Sequence, residues 1–280
     1  GERHLRERRL MLPPFHGDRM RAYGDAMRDV TIREIERWPV GKAFPVHTST
    51  QAITLDVIMR TVFGVGSDDP RLAPLRDALV KFTTLGTSRL GTAMLLLTPP
   101  ERMEQVMELS TRRLGRLLPW APLVRAQAET DRLVRELIAA RRREGTAGKE
   151  DILSMLLEAR DEHGQPMTDD QLRDEMLTLL VAGHETTATT LAWTLHHLLE
   201  HPEWLARVRA EAREVGTTEL DKLVLLDAAI KETLRLTPII PMVGRVLSAP
   251  ATIGGIDLPR GAVALACIYL VHRRADLWPD

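Results

Sequence analysis

The chain has 280 residues, of which 44% are hydrophobic and 28% charged, and its formal net charge at pH 7 is −1. This composition is that of a globular protein with enough apolar residues for a substantial core, and it excludes disordered and fibrous proteins. The near-neutral charge and the 4% of aromatic residues argue against nucleic acid as a partner, because phosphates require cations and bases require rings to stack on.

The single cysteine, Cys267, excludes an internal disulfide and suits a reducing compartment. No apolar run approaches the roughly 20 residues that a membrane-spanning helix requires, so we expect a soluble, cytoplasmic protein. The chain begins with Gly1, and its opening residues lack the apolar core of a signal peptide. We therefore expect a fragment of a longer protein, whose upstream part leaves room for a membrane anchor.

Helical periodicity dominates residues 1–238. Apolar residues recur at three- and four-residue spacing, with charges on the opposite face, in residues 16–38, 48–64, 127–145 and 201–216. Glycine, proline and charged residues interrupt this pattern at residues 38–41, 64–70, 98–100 and 144–148. None of the interruptions has the composition of a flexible linker, so we expect one mainly α-helical body.

A long helix is predicted from Thr168 to about His201. Thr168 and Gln171 form a capping-box pattern, and Asp169 and Asp170 are favourable beside the positive end of the helix dipole. About 33 residues at 1.5 Å per residue make a rod of roughly 50 Å, which is longer than a small domain is wide. We therefore expect this helix to cross the core.

The interior of that helix, residues 179–193, has the sequence LLVAGHETTATTLAW. Gly183 and the threonines at 186, 187, 189 and 190 together cost on the order of 3 kcal/mol of helix preference, so helix stability did not select them. Gly183 leaves space at the backbone for a planar group or a small ligand, and Glu185 and Thr186 supply an acid and a hydroxyl that can pass protons. The alternative interpretation is a helix kink packed against a neighbour, with Glu185 paired to an arginine.

The histidines of this helix do not form a zinc-protease motif. The pattern His-Glu-x-x-His requires a second histidine at position 188, which is Ala188. His197 and His201 lie four residues apart on one face, but the sequence places no third ligand beside them. We expect a hydrogen-bonded or solvated structural role for this pair.

The pattern changes near residue 238. Glu232 and Arg235 lie three residues apart on one helix face, and Pro238 ends that helix. Apolar residues then alternate around Gly254–Gly255, which signals a two-residue hairpin, and around residues 259–261. A small β element is therefore predicted within residues 239–280.

The motif AGHETT at residues 182–187 resembles the oxygen-activation motif of the cytochromes P-450, the haem-thiolate monooxygenases. Glu232-x-x-Arg235 and the LTPIIPMVGR that follows are similar to the Glu-x-x-Arg helix of that family and its next segment. The opening GERHLRERRLMLPPF resembles the family helix with a His-x-x-x-Arg pair, and IYLVHRRADLWPD resembles the approach to the haem loop. The resemblance covers essentially the whole chain and implies one partial, bacterial-like P-450 domain over residues 1–280, mainly α with a small β element.

The resemblance implies roles for single residues. Glu185 and Thr186 would deliver protons to dioxygen as its O–O bond breaks. Ala182 and Gly183 would form the groove that the oxygen occupies. Glu232 and Arg235 would be a buried structural ion pair. The propionates of haem b would pair with His4, Arg8 and Arg245. The substrate pocket would be lined by Thr178, Ala182, Ile239, Ile240, Met242 and Val243.

The metal ligand of the family is a cysteine thiolate, whose electron donation drives O–O cleavage. Cys267 lies in the predicted strand ALACIYL without the glycines and phenylalanine of the haem loop. We interpret it as a small buried thiol and not as the ligand. The axial cysteine is expected after Asp280, so the fragment alone is expected to be inactive.

For the complete protein, the resemblance implies a monooxygenase that inserts one atom of dioxygen into an apolar organic substrate. Its electrons would come from a ferredoxin or flavodoxin type donor with its reductase, and Arg3, Arg6 and Arg9 are candidates for docking this acidic protein. One alternative is a haem-free helical scaffold or interaction module derived from the family, although a scaffold has no need of the acid and hydroxyl pair. A metal hydrolase that uses His184 and Glu185 is a third and remoter alternative.

Overall fold

The structure is a computed structural model that describes residues 2–15, 18–66, 69–98, 105–106, 117–216 and 219–279. The chain divides into two compact units, Gly1–Glu185 and Thr186–Asp280. The organisation of residues 1–280 as one partial domain stays a prediction.

The first unit is built from helices. The interruption at residues 38–41 and the described part of 64–70 fall between helices, as predicted, and the interruption at 144–148 begins at the last residue of a helix. Residues 67–68 and 99–100 lie outside the described residues. The helices are α1 (Glu2–Met11), α2 (Asp18–Ile35), α3 (Val46–Thr61), α4 (Leu72–Thr87), α5 (Arg89–Leu97), α6 (Ala121–Glu144), α7 (Ile152–Glu158) and the first half of α8 (Asp169–Glu200), with a 3-10 turn at Pro13–Phe15.

The core of the first unit forms where the apolar faces of α3, α4, α6, α7 and α8 meet. From α8 it takes Leu172, Met176 and Leu180, which recur every four residues and so lie on one side of the helix. Burial of each such side chain contributes about 1.5–3 kcal/mol, which outweighs the weak helix preference of the middle of α8. The most deeply buried large residues of the other helices and the segments next to them are Leu55, Met59, Phe63, Leu75, Leu79, Ile152, Leu153 and Leu156.

A buried ion pair between Arg141 and Asp151 lies beside this core, and the sequence analysis did not predict it. Arg141 donates a hydrogen bond to Asp151 and also to the hydroxyl of Ser154 (2.5 Å) and the carbonyl of Phe63 (3.0 Å). Asp151 caps α7 by accepting from the backbone N–H of Ser154 at 2.9 Å. At Gly64, where φ is +62°, an added Cβ would lie 2.5 Å from Asp151 Oδ2. The network therefore ties the end of α6 and the start of α7 to the turn after α3.

The long helix α8 spans 32 residues, as the sequence predicted to within about one residue at each end. Its capping box is formed: the N–H of Thr168 donates to Gln171 Oε1 at 2.9 Å, and the N–H of Gln171 donates to Thr168 Oγ1 at 3.2 Å. The helix starts in the core of the first unit and continues into the second unit. Despite its length, neither α8 nor any other described helix is apolar enough to cross a membrane.

The second unit adds helices and two small antiparallel sheets. Gly254 and Gly255 have φ of 60° and 80°, so they form the tight turn of a two-residue hairpin, as predicted. Strand β1 (Met242–Val246) pairs with β4 (Val263–Cys267), and β2 (Ala251–Ile253) pairs with β3 (Ile256–Leu258). The helices are the second half of α8, α9 (Pro202–Val215), α10 (Val224–Leu236) and α11 (Ile268–Val271), with a 3-10 turn at Leu220–Lys222.

The predicted helices within residues 16–38, 48–64, 127–145 and 201–216 are confirmed by α2, α3, α6 and α9, whose ends differ from the prediction by a few residues. The small β element after residue 238 is confirmed as well. The largest of these differences lies in α6, which begins six residues earlier because Pro122 occupies its first turn.

Much of the apolar surface of the second unit is uncovered by the described residues. An isolated pair of strands is marginally stable in water, so the sheet of β1 and β4 is expected to need a further packing partner. More than half of the surface of these side chains is exposed: Leu199, Val224, Ile240, Met242, Val246, Ile256, Val263, Leu265 and Leu270.

Candidate active site

Glu185 and Thr186 lie in the middle of α8, and both are partly buried. At about 100° per residue, Ala182 shares their side of the helix, whereas Met176 and Leu180 point away from it into the core. Threonines further along α8 hydrogen-bond to the helix itself. Thr190 and Thr194 donate to the carbonyls four residues earlier, at 2.8 Å each.

The carboxylate of Glu185 faces α3. Gln51 donates a hydrogen bond from Nε2 to Glu185 Oε2 at 3.0 Å, and His47 Nε2 lies 3.6 Å from Oε1. The side chain of Glu185 is 36% exposed and that of His47 is 42% exposed, so the contact lies at the edge of the first unit. These partners are an amide and an imidazole, and not the arginine that the alternative interpretation required.

His184 is a core residue that joins α8 to α3. Its side chain is 1% exposed, and its Nδ1 lies 3.0 Å from Thr54 Oγ1. The hydroxyl of Thr54 also donates to the carbonyl of Gln51 at 3.2 Å. Burial lowers the pKa of His184, which keeps the ring neutral at pH 7. Because His184 faces the core and Glu185 is partly exposed, the two do not converge on one ligand position, which weighs against the metal hydrolase.

Gly183 packs against α3. A Cβ at this position would lie 3.1 Å from Cδ1 of Ile58, closer than an ordinary van der Waals contact. The absence of a side chain at Gly183 therefore lets α3 and α8 pack closely against each other. The role of Ala182 and Gly183 in an oxygen groove stays a prediction.

The predicted substrate residues fall into two groups. Thr178 and Ala182 are exposed on α8 and line a cavity of about 400 Å³ in the first unit. The other members of its lining are Phe82, Gln127, Thr130, Leu177 and Val181. Four predicted residues belong to the second unit, where Ile239 and Val243 are partly buried and Ile240 and Met242 are exposed.

The predicted propionate ligands His4 and Arg8 lie one turn apart on α1, and both are exposed. Within the described part of the chain their side chains have no hydrogen-bond or ion-pair partner. An exposed imidazole and an exposed guanidinium one turn apart fit an anionic group such as the carboxylates of haem. Arg245, the third predicted ligand, is exposed in β1 and donates to the carbonyl of Gly244 at 2.8 Å.

The neighbouring arginines of α1 differ from His4 and Arg8. Arg6 pairs with Asp161 at 2.6 Å, and Arg9 lies 3.5 Å from Glu162. The side chain of Arg3 lies outside the described residues. Two of the three candidates for docking an electron donor are thus engaged within the first unit.

The predicted pair of Glu232 and Arg235 forms in α10. Arg235 binds both carboxylate oxygens, at 2.7 and 2.5 Å, and also donates to the carbonyl of His272 at 2.8 Å. This bidentate contact lowers the pKa of Glu232. The predicted burial is not observed, because the Glu232 side chain is 53% exposed. The described residues bury most of the Arg235 side chain, whereas the Glu232 side chain remains accessible to solvent.

His196 and His201, near the end of α8, have acidic neighbours, whereas the buried Nε2 of His197 has no hydrogen-bond partner among the described residues. The structural role of His197 and His201 stays a prediction. His196 Nε2 lies 3.3 Å from Glu200, and His201 lies 3.6 Å from Glu203. His197 stacks on Trp193 with ring centroids 5.8 Å apart. Ligand atoms of His196, His197 and Glu200 lie within 4.8 Å of one another, but His196 and Glu200 already pair and are exposed.

Cys267 is a free thiol at the end of β4 and is partly buried. Its register partner across the sheet is Met242. Cys267 is therefore less buried than predicted from the sequence, because few of the described residues pack against this sheet.

The geometry of α8 and α10 and the mainly helical architecture agree with the family resemblance. A comparison of the sequence with family models assigns the family. The family model for cytochrome P450 matches residues 1–280. The chain belongs to the cytochrome P450 family. The prediction from the AGHETT and Glu-x-x-Arg motifs is confirmed.

Two curated P450 relatives come from Mycobacterium tuberculosis. Cytochrome P450 135B1 of strain H37Rv is 41% identical over 280 residues, which cover 99% of this chain and 55% of the relative. Cytochrome P450 137 of the same strain is 39% identical over 277 residues, which cover 98% of this chain and 54% of the relative. The chain therefore spans about half the length of these relatives.

Solved P450 structures share the fold of the chain. The cyanobacterial CYP120A1 with retinoic acid bound has a TM-score of 0.79 and 26% identity, with 100% of this chain and 60% of that chain covered. The haem domain of cytochrome P450DA has a TM-score of 0.76 and 28% identity, with 97% and 58% covered. The predicted fold class, mainly α with a small β element and a long central helix, is confirmed.

Proposed function

We propose that this chain is the central part of a haem-dependent monooxygenase that inserts one atom of dioxygen into an apolar organic substrate. Its electrons come from a ferredoxin or flavodoxin type donor with its reductase. The observation that carries the proposal is the acid and hydroxyl pair, Glu185 and Thr186, in the middle of the long helix of a P450 chain. Haem b, when bound, supplies an iron atom that activates dioxygen.

Glu185 and Thr186 supply the protons in this proposal. Glu185 is partly exposed, so its carboxyl group exchanges protons with solvent. A proton would pass from a Glu185 carboxyl oxygen to Oγ1 of Thr186, whose own hydroxyl proton would then be available for the reduction of dioxygen. Ala182, on the same side of α8, leaves space beside the hydroxyl.

His4, Arg8 and Arg245 hold the haem propionates in this proposal. Support comes from the contrast within α1, where Arg6 is engaged by Asp161 while His4 and Arg8 have no such partner within the described residues. Charge-assisted hydrogen bonds from these cations would fix the orientation of the cofactor. Glu232 and Arg235 keep a structural role.

The cavity between α4, α6 and α8 supports the proposed substrate class. Its volume of about 400 Å³ lies in the range of small-molecule sites. The lining is mainly apolar, with Phe82, Leu177 and Val181 beside the polar Gln127 and Thr178. An apolar organic molecule with few polar groups suits this lining.

The uncovered apolar surface of the second unit supports the view that the chain is part of a longer protein. Side chains on β1 and β4, such as Val246 and Leu265, are more than half exposed. The chain also covers 55% of cytochrome P450 135B1. We place the axial cysteine in the remaining part, and not at Cys267.

The proposal is tested on the full-length protein with the variant Thr186→Ala. We expect a larger share of the consumed dioxygen to be released as peroxide, because the hydroxyl that delivers the proton is missing. Thr187→Ala, which removes an exposed hydroxyl one residue away, is the matched control and should leave the share unchanged. An unchanged share in Thr186→Ala would contradict the role of Thr186.

The cofactor assignment has a separate test. The reduced carbonyl complex of the full-length protein should give the absorption spectrum of a thiolate-bound haem, and a Cys267→Ala variant should keep that spectrum. Loss of the spectrum in Cys267→Ala would show that Cys267 is the ligand after all. A full-length protein that binds no haem would favour the scaffold alternative.

A further inference from the structure

Two residues of α3 face the carboxylate of Glu185, one for each oxygen. Gln51 donates to Oε2 at 3.0 Å, and His47 Nε2 lies 3.6 Å from Oε1. His47 and Gln51 are four positions apart in a helix, so their side chains lie on one face of α3, one turn from each other. The acid of α8 is therefore held between two polar side chains of a different helix.

The buried residues next to this contact set the register of the two helices. Thr54 lies three residues after Gln51 on α3, and His184 directly precedes Glu185 on α8. The contact between Thr54 and His184 is 3.0 Å long and lies in the core, where a change of register would bury polar groups without partners. It thereby places Gln51 opposite Glu185.

The contact of Glu185 with His47 and Gln51 is accessible to solvent. Glu185 and His47 are each between one third and one half exposed, so water reaches the carboxylate from the side of His47. A glutamate on a helix surface has several staggered rotamers of similar energy. A hydrogen bond to an ionised oxygen is stronger than one between neutral groups, so Gln51 selects one of these rotamers.

We propose that Gln51 and His47 are positioning residues for Glu185 in proton delivery. Gln51 fixes the orientation of the carboxylate through a group that does not ionise. His47 places its imidazole 3.6 Å from the other oxygen at the solvent edge, where the carboxyl group takes up the proton that it passes to Thr186. This inference rests on the proposed function, because both residues act through Glu185.

The contact itself is tested without turnover, on full-length protein labelled with ¹⁵N in the glutamine side-chain amides. The Gln51 resonance is assigned by its loss in Gln51→Met. In Glu185→Ala, the Gln51 amide protons should exchange with water about tenfold faster, as for the loss of a hydrogen bond to a charged group. Glu200→Ala, on the same helix but paired with His196, is the control and should leave the exchange unchanged. Unchanged exchange in Glu185→Ala would overturn the inference.

The effect on proton delivery is measured as the share of consumed dioxygen that is released as peroxide. NADPH, a ferredoxin and a ferredoxin reductase supply the electrons, and in the absence of an organic substrate the dioxygen that is not released as peroxide is reduced by four electrons to water. Gln51→Met and His47→Leu should each raise the peroxide share several-fold. His47→Gln keeps a polar N–H group at this position, so its peroxide share should lie between those of the wild type and His47→Leu. His163→Leu is the matched control, because His163 is an exposed histidine beside Glu162 in the same unit.

Different results would contradict the positioning role and the proposed proton delivery. If Glu185→Gln raises the peroxide share and Gln51→Met and His47→Leu do not, the positioning role is wrong and the proposed function stands. If Glu185→Gln and Thr186→Ala both leave the share unchanged, the proposed proton delivery is wrong and the positioning role falls with it.

Discussion

Nδ1 of His184 and Oγ1 of Thr54 lie 3.0 Å apart in the core between α8 and α3. A protonated imidazole carries a hydrogen on both ring nitrogens, so each nitrogen then needs an acceptor. The described part of the chain offers Nε2 no hydrogen-bond partner. A second proton would thus be buried as a charge without an acceptor, and burial accordingly lowers the pKa of His184.

We expect the free energy of unfolding to fall as the pH drops below the ordinary histidine pKa of about 6.5. Below that pH the unfolded chain binds a proton that the folded chain excludes, so one histidine contributes up to ~1.4 kcal/mol per pH unit. Urea unfolding as a function of pH measures this slope. His184→Gln should flatten it and the exposed His163→Gln should not; equal slopes in wild type and His184→Gln would contradict the prediction.

The buried pair of Arg141 and Asp151 should be sensitive to the loss of one partner. Arg141→Met leaves the Asp151 carboxylate buried without its cation, and we expect a loss of about 3–5 kcal/mol in the free energy of unfolding. Arg132→Met removes an exposed arginine that pairs with Glu129 on the same helix, and it should cost much less of the free energy of unfolding than Arg141→Met does. Urea unfolding compares the two variants. Similar losses would show that the burial of Arg141 does not increase the cost of removing its charge.

The close approach at Gly183 predicts energetic coupling with Ile58. Gly183→Ala gains about 1 kcal/mol of helix preference. Steric repulsion between the new Cβ and Cδ1 of Ile58, 3.1 Å away, offsets part of this gain. Combined with Ile58→Val, the same change should be more favourable than in the wild-type background. Gly24→Ala in α2, where nothing lies within 4 Å of the new Cβ, should be stabilising by itself and independent of Ile58. Additivity in the Gly183 double-variant cycle would refute the contact.

The capping box at the start of α8 should contribute measurable stability. Thr168→Ala removes the acceptor of the Gln171 N–H and should cost about 1 kcal/mol of the free energy of unfolding. Thr168→Ser keeps the hydroxyl and should cost a few tenths at most. Thermal unfolding of the three proteins tests this prediction, and an equal loss in both variants would show that the methyl group and not the cap matters.

The features that the sequence predicted well depend on neighbours along the chain. The bounds of α8 follow from Thr168 and Gln171, three residues apart, and from Pro202 after its end. The hairpin at Gly254 and Gly255 follows from two adjacent residues that adopt positive φ without strain. Caps, turns and helical periodicity involve residues within one or two turns, so a sequence pattern is sufficient to predict them.

The contacts around the acid could not be predicted in this way. Gln51 and Glu185 are 134 positions apart, and Thr54 and His184 are 130 positions apart. His47, Gln51 and Thr54 lie in an ordinary amphipathic helix whose pattern shows only that one face is buried. The burial of Arg141 was equally unpredictable, because its sequence neighbourhood of charged residues is typical of an exposed helix end.

The sequence by itself determined the helical architecture, the small β element, the P450 family and the placement of Glu185 beside Thr186 on one helix. These depend on local periodicity and on motifs in which the functional residues are adjacent. Only the tertiary structure decided that Glu185 faces an amide and an imidazole, that His184 is a core residue and that Gly183 makes room for Ile58. The reason is that packing brings distant helix faces together, and many different pairs of faces satisfy the same apolar pattern until the whole chain has folded.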